Sequence, residues 1–414
     1  MAWKTTSKEE QRLALVRAMR RAASGVGELA KSFGVSRQTA YRWRRRFRAG
    51  GRKGLRDRSH RPARISGKTS RVWLDRLRQL RRRRKTWGGR KLRHGLAKRF
   101  GRVGLPSVTT LGRWLKRWGL VAGRRRRQPG PVVVRRRVRA ARRCHEVWTV
   151  DFKGWYRTGG GVRVDPLTVR DLYSHYGLRI GLLRSQRVRE TQREFRRIFA
   201  EHGLPERIRC DNGTPFGGLG PTGLTRLSAW WVKLGIEVEF MTPGRPGENG
   251  SHEQFHRVYK AEVAKSPARS VAEQQRRSTE WMEDYNQERP HEDLGMKVPA
   301  EVYRKNRRRM PERIREWRYG PKWERRWVKG NGEISWRGSR RFVGEAFVRN
   351  YVGLKPIGAG KWRVYFGPMV VGELREGETG SVRMACYQRS KHFGKGGSAP
   401  ARSARLRAAP LPKV

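Results

Sequence analysis

Through the first 120 positions apolar residues recur at intervals of three and four, the spacing of one helix face. Ser7 is placed to cap a helix running to about Ala22, and a short helix from Val26 to about Phe33 follows. Gly34-Val35-Ser36 makes a tight turn, and Ser36 caps a third helix to about Ala49. In that helix Ala40, Trp43 and Phe47 form the apolar face, and Arg37, Gln38, Arg42, Arg45 and Arg46 lie off it. Residues 1–60 therefore have the layout of a helix-turn-helix offering polar and basic side chains to a major groove; a small three-helix bundle with a solvated basic face has the same pattern. Residues 67–120 repeat the theme: Trp73, Leu74, Leu77 and Leu80, then Leu92, Leu96 and Phe100, then Leu111, Trp114, Leu115 and Trp118. This predicts a second helix-turn-helix, or a helical spacer.

From residue 145 the period changes. Strands are predicted at 147–156, 162–173, 176–183, 207–210 and 236–241, and helices at 188–202 and 222–234. Asn249 or Ser251 caps a further helix. The order β-β-β-α-β-α-β-α predicts a mixed sheet flanked by helices over 145–265. Residues 266–317 read as a helical extension ending in a basic linker. Over 318–386 short apolar runs broken by glycine predict a small β-barrel, serving either DNA binding or docking. Residues 121–143 read as a basic linker, and 387–414 as a disordered tail. The fold class is thus multidomain α+β.

Charge narrows the partner. Lys plus Arg number 99 against 35 Asp plus Glu, a formal net charge of +64, so the partner expected is a polyanion. No apolar run reaches 18 residues, which favours nucleic acid over a membrane. The three cysteines, Cys144, Cys210 and Cys386, have neither disulfide-framework nor zinc-ligand spacing, and a reducing interior fits.

Chemistry is suggested by three acids. Asp151 lies inside a predicted strand, Asp211 ends another, and Glu253 rides on a helix after a Gly/Pro-rich loop. A carboxylate in a buried strand is unfavourable unless it is paired or binds a cation. Two strand aspartates and a helical glutamate that converge would suit two Mg²⁺ or Mn²⁺ ions and phosphodiester chemistry. On the face of Glu253, Arg257 and Lys260 fall at i+4 and i+7, where they would either grip DNA or form salt bridges.

These stretches resemble the integrase-like catalytic core of insertion-sequence transposases of the Asp-Asp-Glu family. Trp-Thr-Val-Asp-Phe at 148–152 and Asp-Asn-Gly-Thr-Pro-Phe at 211–216 are similar to its two aspartate motifs. Residues 243–257 are similar to its glutamate loop and helix, and 285–303 to the segment after the core. The resemblance implies a ribonuclease-H-like core with the triad Asp151, Asp211 and Glu253, which also serve as metal ligands. Glu248 competes for the third place, but Glu253 follows Asn249-Gly250 as the family's glutamate follows such a pair. Asn212, Asn249, His252 and His256 are expected around the triad, and Asp171 is expected to be structural. The implied function is binding of terminal inverted repeats, 3′-end cleavage and strand transfer into target DNA by a homo-oligomer in the bacterial cytoplasm at the nucleoid. A catalytically inactive DNA-binding regulator and a metal-dependent nuclease of the same fold are the alternatives.

Overall fold

A computed structural model describes residues 7–21, 25–57, 69–121, 140–218, 220, 222–242 and 250–383. They fall into two compact units, divided between Thr69 and Ser70.

The first unit is built from α1 (Lys8–Arg21), α2 (Val26–Ser32) and α3 (Arg37–Gly50). Ser7 and Glu10 cap α1 reciprocally: the Glu10 N–H donates to Ser7 Oγ at 3.2 Å, and the Ser7 N–H to Glu10 Oε2 at 3.0 Å. Ser36 caps α3 by accepting from the Thr39 N–H at 3.2 Å. Leu13, Leu15, Val16, Ala30, Ala40, Trp43 and Leu55 close the core.

The second unit opens with α4 (Arg71–Arg83), α5 (Gly89–Phe100) and α6 (Val108–Arg117) around Trp73, Leu77, Leu92, Leu96, Leu111 and Leu115. Trp87, which the sequence places in a turn, joins this core. The group seats on later helices through polar contacts, among them Thr86 Oγ1 to Glu262 Oε1 at 2.6 Å and Arg90 to Glu292 at 2.6 Å.

Then come β1 (Val147–Phe152), β2 (Tyr156–Arg157), β3 (Arg163–Asp171), β4 (Gly177–Leu183), α7 (Val188–His202), β5 (Arg207–Cys210), α8 (Arg226–Lys233), β6 (Glu237–Phe240), α9 (Gly250–Tyr259), α10 (Val271–Glu288) and α11 (Pro299–Val302). In the sheet β1 is central, antiparallel to β3 and parallel to β5; β4 flanks β3, and β6 extends β5 in parallel. One face of β1, Trp148 and Val150, meets Phe195, Ile198 and Phe199 of α7 and Leu227 and Trp231 of α8. Helix α8 starts later than the periodicity predicts, because Thr225 and Ser228 form a reciprocal cap there. Residues 304–314 are not a loose linker. Arg308 donates to the carbonyls of Pro205 and Gly235, each at 2.9 Å, and Met310 and Ile314 pack on the core.

The C-terminal strands correct the expected barrel. They are β7 (Glu324–Trp327), β8 (Glu333–Trp336), β9 (Ser339–Phe342), β10 (Tyr351–Gly358), β11 (Lys361–Phe366), β12 (Met369–Arg375) and β13 (Gly380–Ser381). They form two open sheets, β12-β11-β10-β7 and β13-β9-β8, over one shared core. Closure would need continuous pairing between β12 and the chain around β13. That glycine-flanked strand is two residues long, and the join is a single bridge, Glu373 to Arg383. Leu224 and Ala229 of the central domain share this apolar cluster, so the module is docked on α8. The expected linker residues 122–139 and tail residues 387–414 lie outside the described residues.

Candidate active site

Strand β1 carries Asp151 at its fifth position, opposite Thr168 of β3. The β1–β5 ladder pairs Val147 with Arg207, Trp148 with Ile208 and Thr149 with Arg209. Two residues further in the same register, Asp151 comes level with Asp211, just past the end of β5. The buried Cys210 thiol beneath them reports this closeness: burial raises its pKa well above the ordinary value, and Asp211, Glu239 and Asp151 raise it further. Asp211 is exposed at its tip, yet desolvation raises its pKa, against hydrogen bonds from backbone N–H groups of its own turn. Asn212 fixes that turn by donating to the Met241 carbonyl at 2.7 Å. Glycine is required at 217, where a Cβ would stand 2.4 Å from the Asn212 carbonyl oxygen.

Helix α9 crosses the other face of β1 and β3. His252, Phe255, His256, Val258 and Tyr259 are buried beneath it, while Glu253, Arg257 and Lys260 are exposed together. His252 Nδ1 lies 2.9 Å from Thr149 Oγ1. The Nε2 atoms of His252 and His256 lie 2.6 and 2.7 Å from Thr168 Oγ1, which donates to the Asp151 carbonyl at 2.9 Å. Burial lowers the pKa of His252 well below its usual value and that of His256 to about 3, so both rings are neutral near pH 7. His256 Nδ1 stands 3.9 Å from Asp151 Oδ2.

Sequence reasoning passed over Thr168, Arg170 and Lys153. The wholly enclosed Arg170 donates to the Ser251 carbonyl at 2.8 Å and lies 4.8 Å from the Phe255 ring centroid, pinning the first turn of α9. Burial lowers its pKa. Burial and then Lys260 lower the pKa of Lys153, which Asp151 opposes, so two ammonium groups border Asp151. The signal was available for two of these: Thr168 and Arg170 alternate along β3 on the face shared with Thr149 and Asp151.

The described structure brings Asp151 and Asp211 together and sets Glu253 on the adjoining helix. Among the described residues no group of three His, Cys, Asp or Glu side chains forms a set that could hold a metal ion. The aspartate pair alone fits a hard divalent cation, since both are oxygen donors and a cation would offset the desolvation of Asp211. Glu248 and Asn249 lie outside the described residues. Asp171 is fully buried and accepts from the His145 N–H, the Ser174 N–H and the Ser174 hydroxyl at 2.6–2.8 Å, a role in holding the fold.

On α3, Arg37, Gln38, Arg42 and Arg45 are exposed. Arg46 is partly buried; its guanidinium lies 4.5 Å from the Trp43 ring centroid and donates to the Arg56 carbonyl.

Four family models match successive parts of the chain. A helix-turn-helix domain covers residues 11–63, a homeodomain-like domain 39–115, an integrase core domain 234–299 and an IS481 family transposase C-terminal domain 324–376. The chain belongs to the insertion-sequence transposase family. Among relatives in that family is the IS407 uncharacterized 31.7 kDa protein of Burkholderia multivorans, 27% identical over 57% of this chain and 82% of that protein. The IS476 uncharacterized 39.2 kDa protein of Xanthomonas euvesicatoria is 26% identical over 43% of this chain and half of its own length. Solved structures with similarity include an HTLV-2 integrase catalytic core in complex with magnesium, with TM-score 0.32 and 14% identity over 39% of this chain and 99% of that one. A simian T-cell lymphotropic virus intasome in complex with a PP2A regulatory subunit gives TM-score 0.36 and 13% identity over 71% of this chain and 97% of that one. Among the described residues no helix is long and apolar enough to cross a membrane.

Proposed function

We propose that this transposase-family chain binds the terminal inverted repeats of a mobile element, cleaves their 3′ ends and joins them to target DNA, working as a homo-oligomer on DNA in the bacterial cytoplasm. The observation that carries the reading is the register that sets Asp151 level with Asp211, inside a chain with helix-turn-helix domains and an integrase core. Asp151 and Asp211 would hold two Mg²⁺ or Mn²⁺ ions, with Glu253 as the third carboxylate. Bound there, such ions supply a lowered pKa for water or a 3′-hydroxyl and stabilisation of the leaving oxygen. Arg37, Gln38, Arg42 and Arg45 present donors to base edges, with Arg46 behind them against Trp43. Arg257 and Lys260 bind phosphates beside the acids, and Lys153 extends that cationic edge. Asn212 keeps the Asp211 turn in place, and His252 and His256 seat α9 on the sheet.

The test is strand transfer in vitro. Purified protein meets labelled DNA bearing its element ends and a plasmid target with Mg²⁺ or Mn²⁺. Joined products that disappear in Asp211→Asn and Glu253→Gln, with DNA binding kept, support the reading. Cleavage without joining replaces it with a nuclease, and salt-sensitive binding without chemistry replaces it with a regulator.

A further inference from the structure

The contacts around Thr168 fix more than the seating of α9. Its Oγ1 is within hydrogen-bond distance of three groups: the Asp151 carbonyl oxygen, His252 Nε2 and His256 Nε2. A hydroxyl has one proton and two lone pairs, and a carbonyl oxygen only accepts. The arrangement that satisfies all three sends the hydroxyl proton to the Asp151 carbonyl and turns both lone pairs to N–H donors. Both histidines then carry their proton on Nε2. His252 Nδ1 is left as an acceptor, and the Thr149 hydroxyl is there to donate to it at 2.9 Å. His256 Nδ1 is also left with a bare lone pair, and what faces it is the carboxylate of Asp151, at 3.9 Å.

Two acceptors pointed at one another mark a place for a positive centre or a donor between them. His256 is 9% exposed, so solvent has little room to fill it. Metal–nitrogen and metal–oxygen bonds of about 2.1 Å each span at most about 4.2 Å, and the observed separation lies inside that reach. The ring cannot swing away, because Nε2 is held by Thr168 and Thr168 is fixed in β3. Neutral imidazole with one nitrogen hydrogen-bonded behind it is the usual state of a metal-binding histidine.

We propose that His256 Nδ1 is a nitrogen ligand, beside Asp151, for a divalent cation in the candidate centre. This rests on the reading that Asp151 holds such a cation, and adds a ligand that the three-carboxylate scheme does not contain. It also gives α9 a second tie to the metal: Glu253 and His256 are one turn apart, so the cation would fix the helix against β1 as well as serving the chemistry.

The test uses untagged full-length protein loaded with Mn²⁺, read by electron spin-echo envelope modulation. The expected result is ¹⁴N modulation from a directly bound imidazole, converted to the ¹⁵N pattern when histidine is ¹⁵N-labelled and lost in His256→Gln. In Asp151→Asn, saturable Mn²⁺ binding is lost. The labelled unaltered chain needs no substitution, so the outcome does not hang on the folding of His256→Gln. Bound Mn²⁺ without nitrogen modulation, or modulation that persists in His256→Gln, overturns the inference and leaves Asp151 as a metal ligand. Binding that is unchanged in Asp151→Asn overturns both.

Discussion

On β5 and β6, Arg207 meets Glu237 at 2.7 Å and Arg209 meets Glu239 at 3.2 Å, and nearby Glu194 is held by Arg179 at 2.6 Å and Arg197 at 3.1 Å. Two residues beyond Arg209, the same strand ends in Asp211, which receives backbone N–H groups of its own turn and lies level with Asp151. The acids of the first set each face a guanidinium and tie elements together. The acids of the second are brought side by side at the strand ends, where desolvation disfavours their charge. In a chain with 99 basic residues, arginine could have been placed beside Asp211 as well. The difference separates acids that hold the fold from acids gathered for a cation.

Substitutions break the comparison from opposite sides. Asp211→Asn is expected to lower strand transfer by about 10²–10³-fold, the scale seen when a central electrostatic group is removed, while leaving the melting temperature undiminished at pH 7. Gel-resolved joining and a thermal melt on the same sample check it. Glu194→Gln should act in reverse, losing about 3 kcal/mol of core stability in urea unfolding, because removal of a buried partner strands Arg179. Once folded at low temperature, that variant should still join DNA ends.

A pH series sharpens the same contrast. The folded-state pKa of Asp211 is raised above the ordinary 3.8, so the folded protein binds the extra proton between the two values, and stability is lost as pH rises through the raised pKa. The melting temperature of Asp211→Asn should therefore exceed that of the unaltered chain at pH 7 and converge with it below about pH 3.8. His256 has the opposite sign: its pKa falls from 6.5 to about 3, so the unfolded chain binds more protons in that interval and stability drops as pH falls below 6.5. The smallest effect is expected away from the acids. Ser36→Ala should cost the N-terminal unit about 1 kcal/mol by removing the α3 cap, and weaken binding to element ends with no change in metal dependence.

Much of the site was legible because its carriers are local. A short apolar run ending in Asp announced β1 and β5, and the exposure of Glu253, Arg257 and Lys260 together follows from helical spacing alone. The cluster of Thr149, Thr168, His252 and His256 was not legible, since it joins residues 84–103 apart in the chain and depends on which sheet face α9 covers. Period-2 patterning gave the C-terminal strands but not their closure, because closure depends on backbone pairing at a short glycine-flanked strand rather than on which residues are apolar. Arg46 looked free by spacing. Its partners, Trp43 one turn back and the Arg56 carbonyl beyond the helix end, show how a basic side chain off the apolar stripe still folds onto it.

The most direct check on the account is a calorimetric Mn²⁺ titration of the unaltered chain beside Asp151→Asn, Asp211→Asn and Asp171→Asn. The account predicts saturable binding that is lost in the first two variants and kept in the third, whose carboxylate is taken up by His145 and Ser174. Binding that survives in both Asp151→Asn and Asp211→Asn would contradict it.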